Sequence, residues 1–127
     1  MQIPNESPEQ HYRDALAANR FEIQQCTGCR RHVFPPRIAC PVCGGVTLEW
    51  HEASGNGVVH ACTVVSRTEE KGGPYNVVLV DLDEGVRLMS HVAGYDGWEV
   101  PVGLPVRARI EPDAARLVFE PAGEIAQ

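Results

Sequence analysis

The sequence has no apolar run approaching the ~20 residues needed to span a bilayer, which excludes a transmembrane helix within it. It also lacks the basic start and apolar core of a signal peptide, opening instead with Met1-Gln2-Ile3-Pro4-Asn5-Glu6. Both absences lead us to expect a cytoplasmic protein with no membrane partner. In that compartment thiols stay reduced, and clustered cysteines are read as metal ligands rather than disulfides. No internal repeat or low-complexity stretch is present, so the 127 residues allow one ordinary domain, or one compact domain and a small stapled module. Basic side chains are outnumbered, 11 Lys+Arg against 17 Asp+Glu, which is poor support for a general nucleic-acid binder.

Acidic residues are themselves missing from one stretch. Residues 26–45 hold Arg30, Arg31 and Arg37 with no Asp or Glu, a local charge of +3, which leaves −9 for the rest of the chain. A basic patch on an acidic body suits docking on an acidic partner or a phosphorylated ligand.

Helix signals are confined to the N-terminal part. Ser7-Pro8-Glu9-Gln10 supplies an N-cap serine, a proline at the first helical position and a glutamine three residues after the cap. Tyr12, Ala15, Leu16 and Asn19 follow at helical spacing and predict a helix of about three turns. Its apolar stripe is thin, so Tyr12 and Leu16 are expected to pack against something larger. Phe21 and Ile23 alternate with Glu22 and Gln24 in a short strand, and Leu48 and Trp50 alternate in another within residues 46–54. Gly55-Asn56-Gly57 reads as a turn or bulge. Strands are then expected over residues 58–67, 76–82, 86–92, 104–110 and 116–120, with Asp83-Glu84-Gly85 and Glu111-Pro112-Asp113 as turns. Five short strands suit a small closed barrel, because closure removes exposed edges; OB-type and SH3-like barrels both have that strand count. The expected class is therefore mainly β: an N-terminal helix (1–19), a cysteine ribbon (20–54), a five-stranded barrel (55–121) and a tail (122–127).

Cys26-Thr27-Gly28-Cys29 and Cys40-Pro41-Val42-Cys43 are two C-x-x-C knuckles separated by ten residues. Two intervening residues let both thiolates of a knuckle face one ion. Four thiolates complete a tetrahedral shell that leaves no position for water or substrate, so the role is structural. Four sulfurs select zinc, while iron shares this knuckle pattern. The fifth cysteine, Cys62, sits in mid-strand with no partner at metal spacing and reads as a small buried apolar residue. His60, two residues away, is expected on the same strand face. His11, His32, His51 and His91 show no ligand or triad spacing. Asp81, Asp83 and Glu84 flank a turn and read as a solvated hairpin, and no catalytic constellation is expected.

Several segments together resemble a known family: Cys26-x-x-Cys29, Phe34-Pro35-Pro36-Arg37, Cys40-Pro-x-Cys43-Gly44, Leu48-Glu49-Trp50 and Ser54-Gly55-x-Gly57. Residues 75–82, 85–90 and Val102-Gly103-Leu104-Pro105-Val106 extend the match into the barrel. The sequence resembles the acyl-CoA-associated family with a rubredoxin-like zinc ribbon and a C-terminal OB-fold, formerly a domain of unknown function. The resemblance implies a non-catalytic accessory subunit beside enzymes that handle acyl-CoA thioesters: thiolase-like acyltransferases and aldolases, or hotdog-fold hydratases. It further implies that the helix and ribbon dock the partner and that the barrel can border a CoA channel. Tyr12, Leu16, Arg30, Arg31 and Phe34 are the expected docking residues, and Arg37 is expected to meet the partner or the CoA phosphates.

The competing reading is a nucleic-acid-binding ribbon and barrel. Single-strand binding needs aromatic platforms and a basic groove. Residues 76–82 and 86–92 contain no aromatic, and residues 55–121 carry 6 basic and 10 acidic side chains, so nucleic acid is not expected as a partner.

Overall fold

The computed structural model describes residues 7–95 and 99–122. The chain separates into two compact units, Met1–Ala53 with Ile110–Arg116, and Ser54–Arg109 with Leu117–Gln127. Among the described residues, no helix is long and apolar enough to cross a membrane.

The first unit opens with α1 (Pro8–Ala17), started as the sequence predicts: the Ser7 hydroxyl accepts the Gln10 N–H at 3.1 Å. Asn19, in the left-handed region at φ 64°, ends it. Ala15 and Leu16 are buried, while Tyr12 packs edge-on against Phe21 and Phe34. A three-stranded antiparallel sheet follows, with β1 (Glu22–Cys26) between β2 (His32–Val33) and β3 (Leu48–Glu52). The two-residue β2 is too short to leave a periodic signal. A 3-10 turn at Pro112–Ala114, which the sequence marks only as a turn, also belongs to this unit and packs on α1.

The second unit is a five-stranded sheet in the order β6-β5-β4-β7-β8, built from β4 (Asn56–Val65), β5 (Tyr75–Leu82), β6 (Arg87–Ser90), β7 (Pro105–Glu111) and β8 (Arg116–Pro121). Strict alternation along β5 turns Asn76, Val78, Val80 and Leu82 inward. They meet Val59, Leu88, Val106, Val118 and Phe119 in the core. The expected closed barrel is corrected here: the sheet is not closed. Strand β6 ends at Ser90, and beyond it the chain meets β8 through one parallel bridge, Val92 to Phe119, in which the Phe119 N–H donates to the His91 carbonyl and the Ala93 N–H to the Phe119 carbonyl. The buried Asn76 side chain holds that crossing, donating to the Val92 and Tyr95 carbonyls and accepting the Val92 N–H at 2.9 Å.

Two further expectations change. Asn56 and Gly57 are not a turn but the start of β4, paired with both β5 and β7. A Cβ on Gly57 would lie 2.6 Å from the Asp81 carbonyl oxygen, so the glycine permits the close approach of β5. A bulge between Val59 and Ala61 also breaks the alternation that would put His60 and Cys62 on one face. His60 lies outward beside Asp81, whereas Cys62 pairs with the buried Val78 and its sulfur accepts the Val100 N–H.

Candidate metal centre and the hollows beside it

Each knuckle is a tight turn with the same backbone pattern. In the first, the Cys26 carbonyl accepts the Arg30 N–H and the Cys26 N–H reaches the Arg31 carbonyl; in the second, Cys40 does the same with Gly44 and Gly45. Arg30 and Gly44 thus hold equivalent places, both left-handed, at φ 67° and 78°. The four Sγ atoms converge within 4.8 Å of one another. Cys26 lies 3.5 Å from Cys43 and Cys29 lies 3.6 Å from Cys40, sulfur to sulfur. These separations approach the about 3.8 Å edge of a tetrahedron with metal–sulfur bonds of about 2.3 Å.

Backbone amides favour thiolates here. The N–H groups of Cys43 and Val42 hold the Cys40 thiol down to about 6. The Cys29 amide, helped by Gly28, holds Cys26 below its ordinary value against the effect of burial. At Cys29 the Arg31 amide acts in the same direction but is outweighed by burial and the neighbouring thiols, which push it up to about 11. A Cβ on Gly45 would come into ordinary contact with the sulfurs of Cys43 and Cys26, at 3.4 and 3.5 Å, so this glycine lies directly against the cluster. The donor set therefore fits one four-coordinate metal ion. Such an ion, once bound, supplies a crosslink and no open coordination position.

The structure distributes the docking candidates around this centre. Arg30, Arg31 and Arg37 are exposed. Tyr12 and Phe34 line a hollow with Glu9, Arg13 and Pro36, beside the cis Phe34–Pro35 peptide. Burial pushes the Tyr12 phenol up to about 12, so it stays neutral. Leu16 lies beneath the helix at 2% exposure and anchors it instead of facing out.

A second hollow opens between the start of α1 and the second knuckle, lined by Pro8, Arg37, Ile38, Val46, Leu48 and Trp50. Its wall includes His11 stacked on Trp50 at 4.1 Å, with the His11 Nε2 2.9 Å from the Glu22 carboxylate. Gln24, which strand alternation assigns to the polar face, is instead 3% exposed. Its amide donates to the Arg37 carbonyl at 2.8 Å and accepts the Arg37 N–H at 2.7 Å. No local sequence signal marks this contact, because its partners lie 13 residues apart.

In the second unit the acidic turn is engaged. Glu84 accepts both the Ser54 N–H and its hydroxyl, and Asp81 takes two hydrogen bonds from Arg87. The Gly72-Gly73 connection is folded around Arg67, which donates to the Gly73 carbonyl and covers the Tyr75 ring at 4.6 Å. Tyr75, outside the strand expected from residue 76 onward, begins β5.

These observations define a ribbon-and-OB-type protein whose ribbon is gathered on four cysteines placed to hold one metal ion. The profile described as the ChsH2 rubredoxin-like zinc ribbon domain matches residues 13–49, and that of the ChsH2 C-terminal OB-fold domain matches residues 50–111. The chain belongs to the DUF35 family, in this ribbon and OB-fold form. It is similar to a chain of a solved structure titled Ltp2-ChsH2(DUF35) aldolase, with a TM-score of 0.79 and 30% identity, covering 96% of this chain and 100% of that one. It is 32% identical over 114 residues to a probable enoyl-CoA hydratase alpha subunit of Thermomonospora curvata, covering 86% of this chain and 36% of that protein. It is also 32% identical over 83 residues to a DUF35 domain-containing scaffold protein of Methanothermobacter thermautotrophicus, covering 62% of each. The chain thus spans about a third of the hydratase subunit it matches.

Proposed function

We propose that this chain is a non-catalytic accessory subunit of an acyl-CoA-processing enzyme: a thiolase-like acyltransferase or aldolase, or a hotdog-fold hydratase. The observation that carries the reading is the similarity, along the full length of that chain, to the DUF35 component of an aldolase structure. The hydratase-subunit and scaffold names of other relatives agree with it.

The metal is zinc in this reading, held by Cys26, Cys29, Cys40 and Cys43, since four thiolates select it and it brings no redox chemistry. Reduced thiolates suit a cytoplasmic protein. The partner docks on the helix and ribbon through Tyr12, Phe34, Arg30 and Arg31, with Leu16 holding the helix from beneath. Arg37 meets the partner or the CoA phosphates. Arg30 supports this assignment: a left-handed residue that is not glycine costs about 1–2 kcal/mol, and its guanidinium remains exposed on the ribbon.

The test is co-expression with candidate thiolase-like, aldolase and hydratase proteins from the same genome. A stable complex is expected, together with no thioester cleavage, condensation or hydration by the chain alone. Reversing charge at Arg31 and Arg37 is expected to slow association, more at low salt than at high salt. Turnover by the isolated chain, or no complex with any such enzyme, overturns the reading.

A further inference from the structure

The second knuckle carries apolar side chains where solvent is expected. Ile38 is 79% exposed, Val46 77% and Val42 59%, all within nine residues of a metal ribbon that has little core to offer them. Ile38 and Val46 rim the hollow whose wall is Leu48 and the stacked His11–Trp50 pair. Its volume of about 430 Å³ lies within the about 300–1,000 Å³ range of small-molecule pockets, room enough for one large side chain. The rim is rigid on one side, because Gln24 fixes the Arg37 backbone by both of its polar groups. A site held in shape before binding loses less freedom on association. Arg37 is the one Lys, Arg, Asp or Glu side chain in the lining, and residues 26–45 have three arginines and no carboxylate, while the Glu22 carboxylate behind the wall is engaged by His11.

We infer that this hollow seats an acidic segment of the partner protein, which inserts one large aliphatic or aromatic side chain between Ile38 and Val46 while a flanking carboxylate meets Arg37. This rests on the accessory-subunit reading and goes further, naming the anchor point and the chemistry that fills it. An apolar anchor in a preformed pocket with charge at its rim is the usual form of an interface hot spot. The positive charge of residues 26–45 steers the acidic partner before contact.

The experiment uses the metal-loaded full chain and the acyl-CoA enzyme that co-expression identifies as its partner, with affinity read by calorimetry at two salt concentrations. Ile38→Asp and Val46→Asp are each expected to weaken the complex at least tenfold, with metal content and circular dichroism unchanged, since both side chains are exposed. Arg37→Gln should flatten the salt dependence. Met89→Asp, an equally exposed position on the sheet of the second unit, should leave affinity unchanged. Undiminished affinity in both hollow variants, or loss only in Met89→Asp, overturns this inference and leaves the accessory reading standing. Self-association of the wild-type chain that Ile38→Asp abolishes overturns it too, by showing a second copy as the occupant. Failure of the wild type to bind the enzyme removes the accessory reading and this inference together.

Discussion

Arg30 and Gly44 occupy the same place in the two knuckles, each donating its N–H to the carbonyl of the cysteine four residues earlier with φ in the left-handed region. Glycine is at ease there and arginine is not. Arg30→Gly should therefore stabilise the ribbon by about 0.5–1 kcal/mol, the relieved strain exceeding the added freedom of the unfolded chain. The same substitution should weaken association with the partner enzyme at low salt. Denaturant unfolding and calorimetry read the two effects separately, and a gain in stability without loss of affinity would show Arg30 to be a bystander at the interface.

Metal analysis should give one ion per chain in protein purified without chelator. Cys43→Ser should reduce that to none and unfold the ribbon, because binding of this kind supplies on the order of 10 kcal/mol to a module with a small core. The strands of the second unit have their own core and should persist in circular dichroism. Disappearance of all β signal would mean that the two units fold as one.

Gln24→Leu keeps the bulk of the side chain but leaves the Arg37 N–H and carbonyl without their partner. A cost of about 1–3 kcal/mol is expected in the metal-loaded protein. Metal stoichiometry should not change, since none of the four thiolates bonds to Gln24. An unaltered unfolding midpoint would show that water replaces both hydrogen bonds.

Hydrogen bonds from Arg87, then its charge and that of His60, hold the Asp81 carboxyl below the usual carboxylate range. Folding lowers this pKa, so the stabilisation is complete above the unfolded value of about 4 and is lost as pH falls towards the folded one. Arg87→Gln should reduce the stability lost between about pH 6 and about pH 3. The effect is small, because the pair is largely open to solvent. Acid also frees thiolate-bound metal in both proteins alike, so the informative quantity is the difference between the two pH profiles.

The features legible in the sequence are those whose cause is local. The knuckles announce themselves because two ligands of one ion must lie three positions apart, and the serine–proline start of α1 because cap and first turn are neighbours in the chain. Strand β5 is legible as an unbroken aliphatic run ahead of the Asp83-Glu84-Gly85 turn, although that run does not show which face is buried. What escaped depends on distant partners. Gly57 reads as a turn residue until the Asp81 carbonyl is seen against it, and Gln24 reads as a solvated strand position until Arg37 closes over it. Likewise, a single bulge separates His60 from Cys62, and strand propensity gives no sign of it.

The 3-10 turn at Pro112–Ala114 carries a lesson about how such a protein can be taken apart. The first unit is made of two stretches of chain, one before Ala53 and one from Ile110 to Arg116. A gene fragment ending at Ala53 therefore encodes an incomplete unit, whose helix lacks a neighbour. The ribbon and the sheet have separate cores yet cannot be exchanged between relatives by one crossover. Recombination that respects the folding units must carry the β7–β8 tip along with the helix it covers.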